Sequence, residues 1–352
     1  MKLLILTQIV DLNNDLLGFM HGWIAEFAGN CELVTVICLK KGEVDLPNNV
    51  KVLSLGKETG KSKIKYIFNF YRYIWQYRGD YDKVFVHMNY EYVNLGGIFW
   101  RLLGKKIGLW YAHGYAPLGL KTAEKLTDII ITSTGSGCRL NSDKIKVVGQ
   151  GIDIEKFAVK NYETRLKNRN KIISVGRISP SKDYNTLIKA VEILKNKGIK
   201  LSVEIIGGPA VKADENYFSD LKRKITDKKL TEEIKFIGPV ANRGILKFLQ
   251  DSALFVNMGQ TGSLDKVMAE AMSAELPIIT CNEAMLEVLG KHKEALMYPK
   301  KDFEKLADRI EYIINLPLEE YRELGRNLRN IIIEKHSLKN FIDKVLNLYL
   351  KI

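Results

Sequence analysis

Two positively charged side chains follow a strand-like run in the second half of the sequence. The run over residues 173–175 ends at Gly176, and Arg177 and Lys182 lie in the loop behind it. An arginine offers phosphate oxygens a planar fork of donors, and a lysine adds a mobile point charge. The next segment is amphipathic, so a helix N-terminus with Asp183 as its cap would point at the same place. The loop is a candidate diphosphate site, although both charges could also be solvated surface residues.

A second loop in this half has the composition of an anion-binding turn. A strand predicted over residues 254–258 runs into glycines and Ser263, whose backbone N–H groups can point at an anion. We expect the next helix to begin near Leu264. Glu270 lies off the apolar stripe of that helix. Its carboxylate could accept hydrogen bonds from the vicinal hydroxyls of a sugar, or it could be an ordinary solvated helix acid.

Both loops require strands and helices that alternate along the chain. Short apolar, β-branched runs recur between amphipathic segments of helix length in both halves. Such alternation predicts parallel sheets covered on both faces, and two series of about 150 residues predict an α/β protein of two doubly wound, Rossmann-like domains. We place the domains at 1–160 and 161–334, with the boundary in a polar stretch. The last residues, about 335–352, predict an amphipathic helix that needs an apolar surface to cover.

The bulk composition excludes several classes of protein. The chain has 352 residues, 46% hydrophobic and 27% charged, which suits two globular domains with a real core. Its four cysteines are widely spread without a C-x-x-C pair, which argues against a zinc site or a disulfide framework. The opening MKLLILTQIV predicts a buried strand and not a signal peptide, and no window approaches the ~18 apolar residues of a membrane span. We therefore expect a cytoplasmic protein.

The net charge of +13 indicates partners that carry phosphate. Nucleic acid, anionic lipid and nucleotide-linked substrates all qualify on charge alone. A nucleic-acid-binding protein is disfavoured because no helix-turn-helix, RRM or zinc-finger pattern occurs and the basic residues are spread along the chain. A nicotinamide dehydrogenase is disfavoured because no G-x-G-x-x-G follows the first strand.

The two loops together resemble those of a known family. Arg177 and Lys182 after a strand, followed by Glu270 in AEAMSAELPIIT, are similar to the pattern of retaining GT-B glycosyltransferases of the glycosyltransferase-4 type, also called group 1. KIKVVGQGIDIEKF at 144–157 and the strand IKFIGPV resemble two further segments of that family, and the resemblance covers nearly the whole chain. It implies the GT-B architecture, with two Rossmann-like domains facing across a cleft and the last helix packed back on the first domain.

The resemblance implies transfer of a sugar from a UDP- or GDP-sugar to an acceptor hydroxyl with retention. Arg177 and Lys182 would bind the diphosphate and stabilise its developing charge, Glu270 would bind the ribose, and His113 would lie near the donor sugar. Taken alone, a histidine after an aromatic strand is more often a packed or capping residue. No cofactor and no metal are expected, because side chains and a helix dipole would neutralise the diphosphate. The implied donor-binding positions are Gly18, Gly176, Arg177, Lys182, Gly207, Val240, Ser263, Leu264, Asp265, Lys266 and Glu270.

The sequence departs from the family at one important position. Members usually carry two glutamates eight positions apart, and the first falls here on Gly262. The missing carboxylate normally contacts the donor sugar, and Asp265 or Lys266 could take its place. Gln150 stands where the family usually has an asparagine, which is a smaller deviation. An epimerase of the same fold is the rival interpretation, but its catalytic carboxylates cannot be placed in this sequence.

The first half of the sequence should hold the acceptor. Asp15, Gly18 and His21 lie in and after the loop behind the first predicted strand. They could face an acceptor there, or they could belong to a plain loop and helix. The D-Y-D motif at 80–82 resembles the metal-binding D-x-D of the other glycosyltransferase fold, but its place at a predicted helix-to-strand turn favours a role in turn geometry.

One segment of the first half is unusual in composition. Lys57, Lys61, Lys63 and Lys65 precede or begin a helix dense in tyrosine, phenylalanine and tryptophan. Lysines beside aromatics fit a membrane-surface helix that meets anionic lipid, although the same aromatics turned inward would be normal packing. Membrane contact would imply a lipid-linked acceptor, as in cell-envelope polysaccharide or glycolipid assembly. The expected partners are a nucleotide-sugar donor, a glycan or lipid-linked acceptor and an anionic membrane surface on the inner face, and no nucleic acid.

Overall fold

The chain forms two units, each built around a parallel sheet. The computed structural model describes residues 1–60, 62–159, 162–259 and 262–352. The first unit comprises Met1–Gly151, Ala241–Arg243 and His336–Ile352, and the second comprises Ile152–Val240 and Gly244–Lys335. The predicted α/β fold class with two doubly wound domains is confirmed. The boundary predicted between residues 160 and 161 lies outside the described residues, as does Lys61.

The strands of the first unit form one sheet over the described residues. They are β1 (Lys2–Val10), β2 (Leu33–Lys41), β3 (Val50–Ser54), β4 (Lys83–His87), β5 (Lys106–Trp110), β6 (Ile129–Thr132) and β7 (Ile145–Val147). Their order is β3-β2-β1-β4-β5-β6-β7, and all neighbours are parallel. The chain winds outward from β1 in one direction to β3 and in the other to β7, so the strand order switches between β1 and β4.

The first strand shows why this sequence forms a covered parallel sheet. Leu3 lies beside Val34 of β2 on one side and beside Lys83 of β4 on the other. Residues 3–6 have no exposed surface. A strand that is buried on both faces needs an uninterrupted apolar run, because neither face of the sheet meets water. The opening run LLIL therefore forms the centre of the sheet.

The helices of the first unit cover this sheet. They are α1 (Phe19–Asn30), α2 (Lys63–Gln76), α3 (Tyr90–Leu102), α4 (Leu118–Leu126) and the last helix, α14 (Leu338–Leu350). In α14 the ring of Phe341 lies 4.3 Å from the ring of Trp23 and 5.1 Å from that of Trp110. The hydroxyl of Tyr349 donates a hydrogen bond of 2.6 Å to the carbonyl of Val84. The apolar stripe of the last helix thus supplies part of the core of the first unit.

The second unit repeats the arrangement on a smaller scale. Its strands are β8 (Lys171–Val175), β9 (Ser202–Ile206), β10 (Ile234–Gly238), β11 (Leu254–Asn257) and β12 (Ile278–Thr280). Over the described ranges their order is β10-β9-β8-β11-β12, so the switch point lies between β8 and β11. Its helices are α5 (Tyr162–Lys167), α6 (Tyr184–Asn196), α7 (Lys212–Asp227), α8 (Asn242–Asp251), α9 (Lys266–Ser273), α10 (Met285–Leu289), α11 (Lys293–Leu296), α12 (Phe303–Ile314) and α13 (Leu318–His336).

The second unit begins earlier in the chain than its first helix. Ile152 and Phe157 are buried in the core of the second unit, and that packing assigns the segment after Gly151 to it. Short helical turns occur at Lys57–Thr59, Gly135–Gly137, Pro180–Lys182 and Gly290–His292. Among the described residues, no helix combines the length and the apolar character that crossing a bilayer requires.

We expect Phe341→Ala to destabilise the first unit by about 3–5 kcal/mol, because it removes a ring packed between two tryptophans and leaves a cavity. Urea denaturation followed by tryptophan fluorescence measures this change, since Trp23 and Trp110 report directly on the site. Leu350→Ala is the control on the same helix, because Leu350 is 74% exposed and its loss should change the free energy of unfolding by less than about 0.5 kcal/mol. Equal losses at both positions would contradict the packing described.

Candidate active site

The turn after β8 is fixed by a close approach of two backbone segments. A Cβ atom on Gly207, at the end of β9, would lie only 2.0 Å from the carbonyl oxygen of Gly176. Residue 207 must therefore be glycine, and it adopts a φ of +134°. The hydroxyl of Tyr184, the first residue of α6, donates to the same carbonyl oxygen at 3.3 Å. These contacts position Arg177 and Lys182 at the carboxyl end of β8, beside the switch point.

Lys182 forms an ion pair with Asp265. The two residues come from the loops after β8 and β11, which are neighbouring strands. The Nδ2 atom of Asn257 donates to Asp265 at 3.0 Å. Burial acts to raise the pKa of Asp265, but the charges of Lys182 and Arg177 and the two hydrogen bonds outweigh it and hold the pKa below its usual value. Asp265 is therefore ionised at neutral pH.

Arg177 and Asp183 complete the loop after β8. The side chain of Arg177 is exposed, so its guanidinium is accessible to a ligand. Asp183 stands at the N-cap position of α6, as predicted, but in the left-handed conformation with φ +44°. Its carboxylate accepts a hydrogen bond of 2.7 Å from the hydroxyl of Thr186 and not from a backbone N–H of the helix.

Polar side chains at the ends of β11 and β12 hold the glycine- and serine-containing turn. The Oδ1 atom of Asn257 accepts the backbone N–H of Gly259 at 3.0 Å and the hydroxyl of Thr280 at 3.4 Å. Asn282 donates from Nδ2 to the carbonyl of Ser263 at 2.8 Å. Sequence reasoning did not single out Asn257, Thr280 or Asn282. Their signal is a polar side chain at the carboxyl end of a buried strand, where parallel sheets bind ligands.

A second charged cluster lies on α9. Glu270 is only 3% exposed, so it is not a solvated helix acid. Lys266, one turn before it, begins the helix two residues later than predicted. Burial lowers the pKa of Lys266 to about 8. The negative charge of Glu270 acts to raise this pKa, and the positive charge of Lys156 acts to lower it further. Burial also lowers the pKa of Lys156, against the effects of Glu270 and Asp153. A buried carboxylate and two lysines thus share one region of the second unit.

The other predicted donor positions lie at element ends. Ser263 and Leu264 are buried in the turn before α9, and Val240 is half-buried just after β10. Gly18 immediately precedes α1 in the first unit, where a Cβ atom would lie 2.5 Å from the carbonyl oxygen of Asn14. That position excludes larger residues for a structural reason, which is independent of any ligand.

The histidines predicted for the site belong to the first unit and differ in exposure. His113 follows β5 and is exposed, and its Nδ1 atom accepts the backbone N–H of Tyr115 at 3.0 Å. In neutral His113 the proton therefore lies on Nε2. His21 is 9% exposed, and its Nε2 atom accepts the backbone N–H of Asp45 at 2.9 Å. Burial lowers the pKa of His21, although the negative charge of Asp45 acts to raise it.

These surroundings give His21 a packing role in α1, and any role at an acceptor stays a prediction. Asp15 is exposed in the loop before α1. The structure thus brings together Gly176, Gly207, Lys182 and Asp265 within the second unit, with Arg177 beside them. Asp15, Gly18, His21 and His113 lie in the first unit.

Comparison with known proteins assigns a family. Residues 156–331 match the family described as Glycosyl transferases group 1, and this match spans half of the chain. The chain belongs to the group 1 glycosyltransferases. The match covers the loops after β8 and β11, so it includes every donor position predicted in the second unit.

The relatives of this group 1 chain are distant. AmsK of Erwinia amylovora, an amylovoran biosynthesis glycosyltransferase, is 28% identical over 173 residues, which are 47% of this chain and 41% of AmsK. The chain thus spans less than half the length of that relative. The UDP-Gal:alpha-D-GlcNAc-diphosphoundecaprenol alpha-1,3-galactosyltransferase of Escherichia coli is 26% identical over 306 residues, 77% of this chain and 75% of the relative.

A solved structure shares the architecture. HepE of Anabaena, crystallised with UDP and glucose, superimposes with a TM-score of 0.79 at 15% identity over 100% of both chains. At this identity the likeness establishes the fold, and it confirms the GT-B class. The family and the fold together agree with the resemblance carried by Arg177, Lys182 and Glu270.

The D-Y-D motif of this group 1 chain lies at the turn between α2 and β4. The carboxylate of Asp80 lies 3.6 Å from the ammonium of Lys51, and the ring of Tyr81 is fully buried. Throughout the described ranges, no three histidine, cysteine or acidic side chains are grouped as a metal site would require. In this structure the motif therefore forms a turn, and Asp80 forms an ion pair with Lys51.

The lowered pKa of Lys266 predicts a pH-dependent stability. As pH rises from about 7 to about 9.5, the folded protein loses this proton while the unfolded chain retains it, so the folded state gains stability. We expect the free energy of unfolding of the wild type to rise by about 2 kcal/mol relative to Lys266→Met over this range. Urea denaturation at both pH values measures the difference. The control Lys335→Met replaces an exposed lysine and should show no such change; identical pH dependence in the two variants would refute the assignment.

Proposed function

We propose that the chain transfers a sugar from a nucleotide-diphosphate sugar to a hydroxyl of a glycan or lipid-linked acceptor. The observation that carries this proposal is the charge arrangement at the switch point between β8 and β11. Arg177 and Lys182 flank this point, and the N-terminus of α6 follows them. Two cations and a helix dipole suit a diphosphate, which is the group shared by all nucleotide sugars.

The same charges support catalysis. The nucleoside diphosphate gains negative charge as the bond to the sugar breaks. Arg177 and Lys182 would therefore bind the transition state more tightly than the bound donor, which lowers the barrier. The exposed guanidinium of Arg177 can form two parallel hydrogen bonds to phosphate oxygens. Lys182 would exchange part of its interaction with Asp265 for the diphosphate.

We propose no cofactor and no catalytic metal. Arg177, Lys182 and the helix N-terminus supply the positive charge that a metal ion provides in other sugar transferases. We also propose, from the family resemblance, that the transfer retains the configuration of the donor sugar through front-face attack by the acceptor hydroxyl. Turnover that is unchanged by excess chelator is the expected result, and loss of activity would contradict the metal-free mechanism.

Glu270 and Asp265 would recognise hydroxyl groups of the donor. Glu270 is buried and interacts electrostatically with Lys266 and Lys156, and we propose that it accepts hydrogen bonds from the ribose hydroxyls. Gly262 stands where the family usually has the glutamate that contacts the donor sugar. We propose that Asp265 takes this role, because it is ionised and is fixed by Lys182 and Asn257 from two directions. An ionised carboxylate accepts hydroxyl donors strongly but repels phosphate.

The acceptor would bind to the first unit. Asp15 and Gly18 belong to the loop behind β1, and His21 lies in the helix that follows it. His113, exposed after β5, stays our proposal for a catalytic residue near the donor sugar. The relative from E. coli is named for a diphosphoundecaprenol acceptor and AmsK for amylovoran biosynthesis, which supports an acceptor in cell-envelope polysaccharide or glycolipid assembly. We propose a cytoplasmic protein that meets the inner face of a membrane. The family match favours this function over an epimerase and over a nucleic-acid-binding protein.

The donor site is tested by thermal shift with UDP, GDP, ADP and NAD. We expect one nucleoside diphosphate at about 100 times its Kd to stabilise the folded protein by about 2.7 kcal/mol. Arg177→Ala should abolish most of that shift and lower kcat/KM by roughly 10²–10³. Arg326→Ala, which removes an exposed arginine of the second unit, is the matched control and should retain both. A panel without any shift, or an Arg177→Ala variant with normal turnover, would overturn the proposed function.

The role of Asp265 is tested by comparing a nucleoside diphosphate with its sugar-linked form. In the wild type the sugar-linked nucleotide should give a larger thermal shift than the nucleoside diphosphate alone. Asp265→Asn should lose that added shift, with about 10- to 100-fold weaker binding of the sugar nucleotide, because a hydrogen bond to a charged group contributes about 1.5–3 kcal/mol. Asp308→Asn, an exposed control on α12, should keep it. A variant that weakens both ligands equally would show that Asp265 only positions Lys182.

A further inference from the structure

The first unit exposes an unusual number of large apolar side chains on two helices, α2 and α3. Phe68 is 66% exposed, Trp75 is 56% exposed and Leu102 is 82% exposed. We call this surface the apolar face. Its members are Ile64, Ile67, Phe68, Tyr71 and Trp75 of α2 and Leu95, Ile98 and Leu102 of α3. Contiguous exposed apolar surface marks a site of interaction in a folded protein.

The core of the first unit does not use these side chains. The inner side of α2 is occupied by Phe70 and Ile74, which are fully buried. Phe70 packs against Tyr92 and Trp100 of α3, at ring distances of 5.8 and 6.0 Å. The aromatic residues of α2 therefore divide between two opposite sides of the helix. Normal packing thus accounts for Phe70 and Ile74, whereas contact of the exposed residues with a membrane stays a prediction.

The exposed residues form one continuous surface. Within α2, Ile64, Phe68, Tyr71 and Trp75 recur at intervals of three or four residues, which places them along one side of the helix. The hydroxyl of Tyr71 donates to the carbonyl of Leu95 at 2.9 Å, and the rings of Trp75 and Phe99 lie 5.7 Å apart. These contacts bring α2 against α3.

The members of the apolar face on α3 also recur at helical spacing. Leu95, Ile98 and Leu102 are three and four residues apart, so they share one side of α3. Because α3 touches α2 through Leu95, the two apolar stripes adjoin.

Positive charge borders the apolar face. Helix α2 contains Lys63, Lys65 and Arg72 and no acidic residue, and all three cations are exposed. Lys65 and Arg72 are three and four residues from Phe68, so they are its neighbours on the helix surface. The guanidinium of Arg78 lies 4.3 Å from the ring of Trp75. Lysine and arginine beside exposed aromatics suit a surface that is apolar inside and anionic at its boundary.

This charge pattern selects between two possible occupants of the face. A second copy of the chain would place the same cations opposite themselves, because a two-fold interface pairs identical patches. An anionic lipid surface offers phosphates to Lys65 and Arg72 and acyl chains to Ile64 and Phe68. Tyr71 and Trp75 have the amphipathic rings that concentrate at the level of the lipid headgroups.

We propose that the apolar face of α2 and α3 docks on an anionic lipid bilayer, with α2 lying parallel to the membrane surface. The binding energy comes from burial of the apolar face and from attraction of the bordering cations to lipid phosphates. This inference rests on the membrane contact proposed above and assigns it a surface. Its test does not depend on sugar transfer, because these residues lie outside the donor site and binding is measured without activity.

Trp75 is a built-in reporter for the test. The other three tryptophans, Trp23, Trp100 and Trp110, are at most 2% exposed. The full chain is mixed with phosphatidylcholine vesicles, with and without phosphatidylglycerol, whose acyl chains are brominated to quench nearby tryptophan. We expect quenching and a blue shift only with the anionic vesicles, and a decrease in both as salt is added. Absence of quenching, or equal quenching by neutral vesicles, would overturn the proposal.

Paired variants separate the apolar and the charged contributions. Ile64→Ser with Phe68→Ser should weaken vesicle binding by about tenfold or more, whereas Val211→Ser with Tyr312→Ser changes exposed residues elsewhere and should leave it unchanged. Flotation of the vesicles measures binding without relying on fluorescence.

The charge pair is Lys65→Glu with Arg72→Glu. It should abolish the preference for anionic lipid, while Lys335→Glu with Lys339→Glu alters the net charge equally and should preserve it. Sedimentation equilibrium distinguishes the alternative occupant. Self-association that disappears in the Ile64→Ser, Phe68→Ser variant, together with unchanged vesicle binding, would show that a second copy covers the face and would refute the proposal.

Discussion

The ion pair between Lys182 and Asp265 joins the two loops that form the candidate site of the second unit. The loops come from β8 and β11, which lie next to each other in space although about 80 residues separate them in the sequence. The close approach of Gly207 to the Gly176 carbonyl fixes the first loop, and Asn257 fixes the second. Each contact restricts the backbone so that oppositely charged groups meet at one edge of the sheet.

This arrangement means that the candidate site is not a simple basic patch. Asp265 offsets part of the charge of Lys182, and Glu270 offsets part of the charge of Lys266. A bare anion gains less from such a site than it would from isolated cations, because each cation is already partly neutralised. A ligand that carries both phosphates and hydroxyl groups can satisfy the cations and the carboxylates together. The net charge of the chain contains none of this information, since it counts charges without their partners.

The fold was predictable because it follows from local patterns. Strand-length apolar runs that alternate with amphipathic segments determine a covered parallel sheet, and the runs around β1 and β8 show this clearly. The surroundings of individual side chains depend on tertiary packing, which the sequence pattern does not contain. Glu270 is off the apolar stripe, yet neighbouring segments bury it, and His21 looked available but binds the Asp45 backbone. In α2, apolar residues occur on two sides, so periodicity alone could not tell which side faces the core. Asn257 was missed because one asparagine carries no periodic signal.

The position of α14 has a consequence for how the protein matures during synthesis. Residues 338–350 complete the core of the first unit, yet about 180 residues of the second unit are translated between Gly151 and this helix. Until that helix leaves the ribosome, Trp23 and Trp110 lack the Phe341 ring that packs against them. The second unit has all of its strands and can fold while the first still waits for its final segment. The nascent chain therefore carries an uncovered apolar surface for most of its synthesis, which is the condition under which chaperones bind.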